Sequence, residues 1–219
     1  SVLFSEEEAE LVSKLPIKPF TVEKAARAWR VTPDEARSTL DALASRAILL
    51  DIEHRGEQTY VLPPPMAGFF EFSMMRTRDD VDQSLLAELY EQYCAVEDEF
   101  MRSLVGEGDT QVGRIFVNEP VLQPEAHVLD YERATHVIRT APYIGISRCY
   151  CRVKKEEVGK VCDAPQDICM TFGDTASSLI RHGFAREVDA VEGVDLLQLA
   201  HEHNLVQFGE NVREDVNFI

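Results

Sequence analysis

Positive charge is scarce in this sequence: 22 Lys and Arg stand against 39 Asp and Glu, a net charge of −17 over 219 residues. That balance argues against nucleic acid as the main partner, because neutralising phosphates needs clustered cations. Long apolar runs are absent too. Nothing approaches the roughly 18 consecutive apolar residues of a membrane-spanning helix, so no membrane span is expected. No basic-then-apolar leader precedes residue 20, and the opening Ser1–Glu8 stretch is acidic, which points to the cytoplasm. There is no internal repeat and no low-complexity tract. G-x-S-x-G, H-E-x-x-H, Walker A and Rossmann glycine patterns are all missing, so no catalytic constellation is visible and the reading leans away from an enzyme.

Hydrophobic residues make up 45% and charged residues 28%, an ordinary globular composition. At roughly 150 residues per domain, the length suits one large domain or two small ones. The acid excess is uneven: −3 over residues 1–76, −8 over 77–148 and −6 over 149–219.

The expected fold is α+β. Ser5 followed by Glu8 is a capping-box pattern that opens a first helix over 6–15, which Pro16 and Pro19 stop. A second helix runs from Thr21 to Trp29. Thr32-Pro33-Asp34-Glu35 announces a third, with Ala36, Leu40, Leu43 and Ala47 at helical spacing. The period then changes: residues 48–53 and 58–62 flank Arg55-Gly56-Glu57 as a β-hairpin. Three helices followed by a hairpin is the order of a winged helix. The third helix carries Asp34, Glu35 and Asp41 against Arg37 and Arg46, which opposes phosphate contact.

Pro63-Pro64-Pro65 closes this winged-helix-like domain, residues 1–65, with a stiff connection. Residues 66–219 form a second, mostly helical domain with short strands. The apolar stretch 66–76 should pack between the two. A long helix is expected from about 79 to 104, with Val81, Leu85, Leu89, Tyr93, Val96, Phe100 and Leu104 as its core stripe; a homodimer seam is the other use of that stripe. Gly106 and Gly108 close it, and Cys94 reads as an ordinary buried thiol. A strand is expected at 115–117, a helix at 130–140 capped by Asp130, and a strand at 143–147. Helices then follow at 174–182 (Asp174 cap) and 190–203 (Asp189 cap). Residues 205–208 and 216–219 would pair as a terminal hairpin.

Four of the five cysteines lie within 21 residues, as Cys149-x-Cys151-x10-Cys162-x6-Cys169. Such density in a reducing compartment points to metal or redox chemistry before disulfides. Both a four-iron cluster and a zinc ion accept four thiolates. The spacing is neither the C-x2-C-x2-C run of bacterial ferredoxins nor the paired C-x2-C of zinc ribbons. Five cations, Arg148, Arg152, Lys154, Lys155 and Lys160, accompany the cysteines in an otherwise acidic chain. Neighbouring cations favour ionised thiolates, and can raise a cluster's potential or guide an acidic redox partner; a solvated helix face is the plainer account. His201-Glu202-His203 is a poor chelate, because i and i+2 on a helix diverge. His182, ahead of Gly183, reads as a helix C-terminal cation; His54, His127 and His136 have no partner of note.

The stretches Ser147-Arg148-Cys149-Tyr150-Cys151-Arg152 and Cys162-Asp163-Ala164-Pro165-Gln166-Asp167-Ile168-Cys169-Met170-Thr171-Phe172-Gly173 resemble the bacterial and archaeal 4Fe-4S ferredoxin-type iron–sulfur proteins common in anaerobes. Pro16-Ile17-Lys18-Pro19-Phe20-Thr21 and Met66-Ala67-Gly68-Phe69-Phe70-Glu71 resemble the same proteins, so the likeness covers most of the chain. It implies that Cys149, Cys151, Cys162 and Cys169 are ligands of a [4Fe–4S] cluster and that the protein moves electrons to a redox partner. It also implies a further cysteine-rich ferredoxin module after Ile219, of which this sequence would be the front portion. If that module supplies ligands, this segment would bind no cluster, or zinc adventitiously. Two other functions stay open: a protein-interaction module with a structural zinc on the same thiolates, and a redox-responsive DNA-binding regulator.

Overall fold

The structure, a computed structural model, describes residues 2–54, 56–95, 99, 102, 111–123 and 125–219. Two capping boxes form. Ser5 accepts from the Glu8 N–H and Glu8 from the Ser5 N–H, opening α1 (Glu6–Ser13). Thr32 and Glu35 do the same for α3 (Pro33–Ala44), with Pro33 in the first turn. Between them, α2 (Val22–Trp29) ends at Arg30 in the left-handed region (φ 59°), which turns the chain into α3. The Trp29 indole N–H donates to the Leu11 carbonyl at 2.8 Å and fixes α2 on α1. An antiparallel hairpin follows, β1 (Leu50–His54) and β2 (Glu57–Val61), turning at Gly56 with φ 81°. Ala25, Leu40, Ile48, Leu49 and Tyr60 are fully buried between helices and hairpin. A wholly buried leucine or isoleucine contributes about 1.5–3 kcal/mol, so these residues anchor the unit.

Residues 65–76 join the halves, as their apolar composition suggests. A π-helical turn (Pro65–Phe69) leads into α4 (Phe70–Phe72). Phe72 and Met75 pack with Ala47, Leu50, Leu179 and Phe184, whereas Met74 joins the N-terminal core with Leu86, Ala87 and Val153. That core therefore extends past Pro65 into the second half of the chain.

The helix expected over 79–104 differs in start and in face. It is α5 (Gln83–Ala95). Gln83 donates its side-chain amide to the carbonyls of Ser73 (2.9 Å) and Arg76 (2.8 Å), and Arg78 pairs with Asp80, which together hold the preceding residues out of helix. Leu86, Ala87 and Tyr90 face the core, while Leu85, Leu89 and Tyr93 of the expected stripe are 42%, 47% and 39% exposed. The helix is rotated by about one residue, because Tyr90 reaches inward to the buried Glu71 carboxylate at 3.0 Å. Val96, Phe100, Leu104, Gly106 and Gly108 lie outside the described residues.

In the second half β4 (Ile144–Arg148) is the centre of an antiparallel sheet, flanked by β5 (Asp167–Phe172) and β6 (Arg186–Val188). Before it, the helix expected over 130–140 splits into a 3-10 turn at Asp130–Glu132 and α6 (Ala134–Thr140), so Arg133 rather than Asp130 precedes the α-helix. After it come α7 (Tyr150–Glu157), α8 (Gly173–Arg181) and α9 (Ala190–Glu202). Asp189 caps α9 by accepting the Val191 and Glu192 N–H groups. The other expected cap, Asp174, is already inside α8, which starts directly from β5 at Gly173 (φ 58°).

The terminal hairpin does not form. Instead β7 (Phe208–Glu210) pairs with β3 (Gly113–Ile115), two residues ahead of the strand expected at 115–117. Residues 217–219 run along β5: Met170 and Ile219 exchange two backbone hydrogen bonds of 3.0 Å, and Phe172 N–H donates to Asn217. The outer edge of β5 would otherwise leave these groups unpaired, and the terminal segment satisfies them. Among the described residues no helix is long and apolar enough to cross a membrane.

Candidate metal centre

The sheet sets three of the four clustered cysteines, Cys149, Cys151 and Cys169, at one of its ends. β4 runs directly into Cys149, which caps α7, and Cys151 lies in the first turn of that helix. β5 pairs with β4 so that Cys169 stands opposite Ser147, with a register shift between Ser147 and Arg148. The Cys149 N–H donates to the Gln166 carbonyl at 2.7 Å, closing the loop just ahead of β5. Cys162 rides on that loop and is exposed; no cysteine is in a disulfide.

The thiols sense one another. Cys151 donates to the Cys149 sulfur, which holds Cys149 below the ordinary thiol range and Cys151 above it. Backbone N–H groups at the start of α7 and the Arg152 guanidinium also favour the Cys149 thiolate, against the cost of burial. Burial raises Cys169 first, and the charge of Cys149 raises it further. Cys162 is lowered by the Ala164 N–H and then by Arg152. Tyr150 works the other way on Cys151 and lowers it in part.

The five cations have different roles. Arg152 acts on Cys149, Cys162 and Cys169. Arg148 turns away to Gln166 and, at 2.9 Å, to Glu156. Lys154 and Lys160 approach Glu91 of α5 at 3.2 Å and 3.9 Å, and Lys155 bonds the same carboxylate. That shared carboxylate staples α7 to α5.

Among the described residues no group of three or more His, Cys, Asp or Glu side chains is gathered closely enough to hold a metal ion. The donor chemistry nonetheless suits one: four free thiols, two of them, Cys149 and Cys162, favoured as thiolates, with the Arg152 guanidinium nearby. Completing a four-sulfur site requires the exposed Cys162 loop to close on the other three cysteines.

Other candidates are committed elsewhere. His201 Nε2 meets Gln207 Oε1 at 2.8 Å, and His203 is exposed. His182 ends α8 as expected, but its ring bonds Asp51. Cys94 is half-buried, and its thiol is raised by burial.

Two features beside the thiols escape a motif search. Tyr150 and Tyr90 pack edge to face at 6.4 Å, leading from Cys151 to Glu71. Glu71 is buried and also accepts the Gly68 N–H at 2.8 Å. Its position inside Phe69-Phe70-Glu71-Phe72 was the available signal, since a charge in an apolar run needs a partner. The second feature is a cavity of about 1320 Å³ whose wall includes Tyr150 and Cys169.

No protein-family model matches the chain, and no curated protein or solved structure matches it either.

Proposed function

We propose that this chain is an iron–sulfur protein, or the front portion of one, that holds a [4Fe–4S] cluster on Cys149, Cys151, Cys162 and Cys169 and passes single electrons to a redox partner. The observation that carries this reading is the placement of Cys149, Cys151 and Cys169 at one end of the sheet through β4–β5 pairing, with Arg152 acting on Cys149 and Cys169. The cluster supplies one-electron chemistry when bound. The chain's own part is to fix Cys149 and Cys151 at a helix start, to present Cys169 from a paired strand, and to carry Cys162 on a loop able to close. Cys149 and Cys169 are half-buried, and the exposure of Cys151 and Cys162 leaves the outer side open to a partner.

Four free thiols suit a reducing compartment such as the cytoplasm. The three N-terminal helices and hairpin fit a winged-helix-like unit used for docking, for example onto a C-terminal ferredoxin module or a partner protein. In that unit Arg37 donates to Gln58 at 3.0 Å and Arg46 pairs with Glu8 at 2.7 Å, which disfavours DNA reading. A structural zinc on the same thiolates is the second reading, favoured by the Cys162 loop, whose closure metal binding would drive.

The test is iron and acid-labile sulfide content of anaerobically prepared protein, with its visible spectrum. About four iron and four sulfide per chain, with absorption near 400 nm, is expected. Cys162→Ser should lower the iron content. A colourless protein with one zinc establishes the zinc reading, and a chain without metal overturns both.

A further inference from the structure

The cavity of about 1320 Å³ lies between the β1–β2 hairpin, α4, α5 and the C-terminal strands, and its lining reaches Cys169. Ordinary ligand pockets span roughly 300–1,000 Å³, so this one exceeds the needs of a single small ring. Its wall is built from Phe69, Phe70, Tyr90 and Tyr93, with Tyr150 and Cys169 at the end nearest the candidate centre. The rings form a continuous run: Phe69–Phe70 at 5.2 Å, Phe70–Tyr90 at 6.2 Å and Tyr90–Tyr150 at 6.4 Å, ending at the residue before Cys151. These rings are in edge-to-face contact with one another, and the wall they form is one on which a further flat ring can pack.

Several polar groups on the wall are paired with one another. Tyr90 donates to Glu71 at 3.0 Å, Thr175 to Asn217 at 2.8 Å, and Asn217 to Glu210 at 3.0 Å. The cavity thus offers hydrocarbon and ring faces, and selects an apolar body by burial rather than a charged ligand.

We propose that the cavity is a binding site for an isoprenoid quinone, its ring among the aromatic side chains next to Tyr150 and Cys169 and its apolar tail filling the remaining volume. Three observations select that class. Volume calls for a long apolar body, the wall calls for a flat ring, and adjacency to the thiols calls for a redox-active one; the last point rests on the iron–sulfur reading.

The probe is decylubiquinone, whose fully substituted ring does not add thiols, titrated calorimetrically into anaerobic protein. Saturable one-to-one binding is expected. Leu89→Trp, on the cavity side of α5, should weaken it at least tenfold. Leu85→Trp, one turn earlier and outside the lining, should leave it unchanged. The absence of saturable heat, or dodecanol binding as tightly as decylubiquinone, overturns the assignment. Iron content of the same sample separates the two claims. Iron without quinone binding defeats this inference alone, and quinone binding by an iron-free chain supports the site while removing the cluster reading.

Discussion

Asp51 of β1 and His182 at the end of α8 meet through a 3.0 Å contact between carboxylate and Nε2, across 131 residues of sequence. Ser178 donates to the same carboxylate at 2.6 Å and accepts the Asp51 N–H at 3.2 Å, and Arg181 Nε donates to its second oxygen at 3.1 Å. The N-terminal hairpin is thereby joined to the helix that packs on the sheet carrying Cys149 and Cys169. Hydrophobic contact at Leu50, Phe72, Leu179 and Phe184 runs alongside.

Removing this carboxylate should loosen the join. Asp51→Ala leaves Arg181, His182 and Ser178 without their shared acceptor, and breaking one side of a buried charged network costs about 3 kcal/mol. Urea unfolding should show that loss in the midpoint with an unchanged slope. A change under about 1 kcal/mol would mean that the apolar contacts alone hold the halves together.

Acid should act through the same residue. Burial works against the Asp51 charge, but the hydrogen bonds from His182, Arg181 and Ser178 outweigh it and hold the carboxyl well below the usual range. A group depressed on folding stabilises the fold above its unfolded value near ~4, and that stability is lost as pH falls from there toward the folded value. The gap in unfolding free energy between the wild type and Asp51→Asn should therefore be widest at neutral pH and shrink as pH falls below about 4. A gap that stays constant with pH would dismiss the carboxylate as its source.

Local signals were legible in the sequence where the chain answers to its near neighbours. Ser5 with Glu8, Thr32 with Glu35, and Gly56 between two alternating runs each specify a structure within a few residues. What distant residues decide was not legible. The face α5 buries follows from Tyr90 reaching Glu71, and residues 217–219 lie where the edge of β5 needs partners. At the candidate centre, Cys149 and Cys151 announce themselves by spacing. That Arg152 faces the thiols while Lys154, Lys155 and Lys160 face Glu91 depends on how α7 lies against α5. The Asp51 network had no signature, because its members lie on β1 and α8.

The central strand tolerates little at Gly145. A Cβ there would stand 2.9 Å from the Ala185 Cβ and 2.9 Å from Thr171 Oγ1, closer than atoms normally pack. Gly145→Ala must push β4 away from a neighbouring strand or helix, and overpacking of this kind costs about 1–3 kcal/mol. A lower melting temperature is expected, together with faster hydrogen exchange in β4. An unchanged melting temperature would show that Thr171 and Ala185 give way freely.

Arg152 provides the most direct probe of the thiols themselves. In protein freed of metal, its guanidinium favours the thiolate of exposed Cys162 and of Cys149, whereas Cys151 keeps its proton by donating to Cys149. Alkylation by iodoacetamide consumes the thiolate, so the rate at a given pH follows the ionised fraction. Arg152→Gln removes the cation and should slow modification of Cys162 at neutral pH, shifting its rate profile to higher pH. Lys160→Gln, which removes a lysine directed at Glu91, should not shift that profile. Peptide mapping after short exposures measures both. Equal shifts from the two variants would trace the effect to net charge, and no shift from Arg152→Gln would remove the guanidinium from its place among the sulfurs.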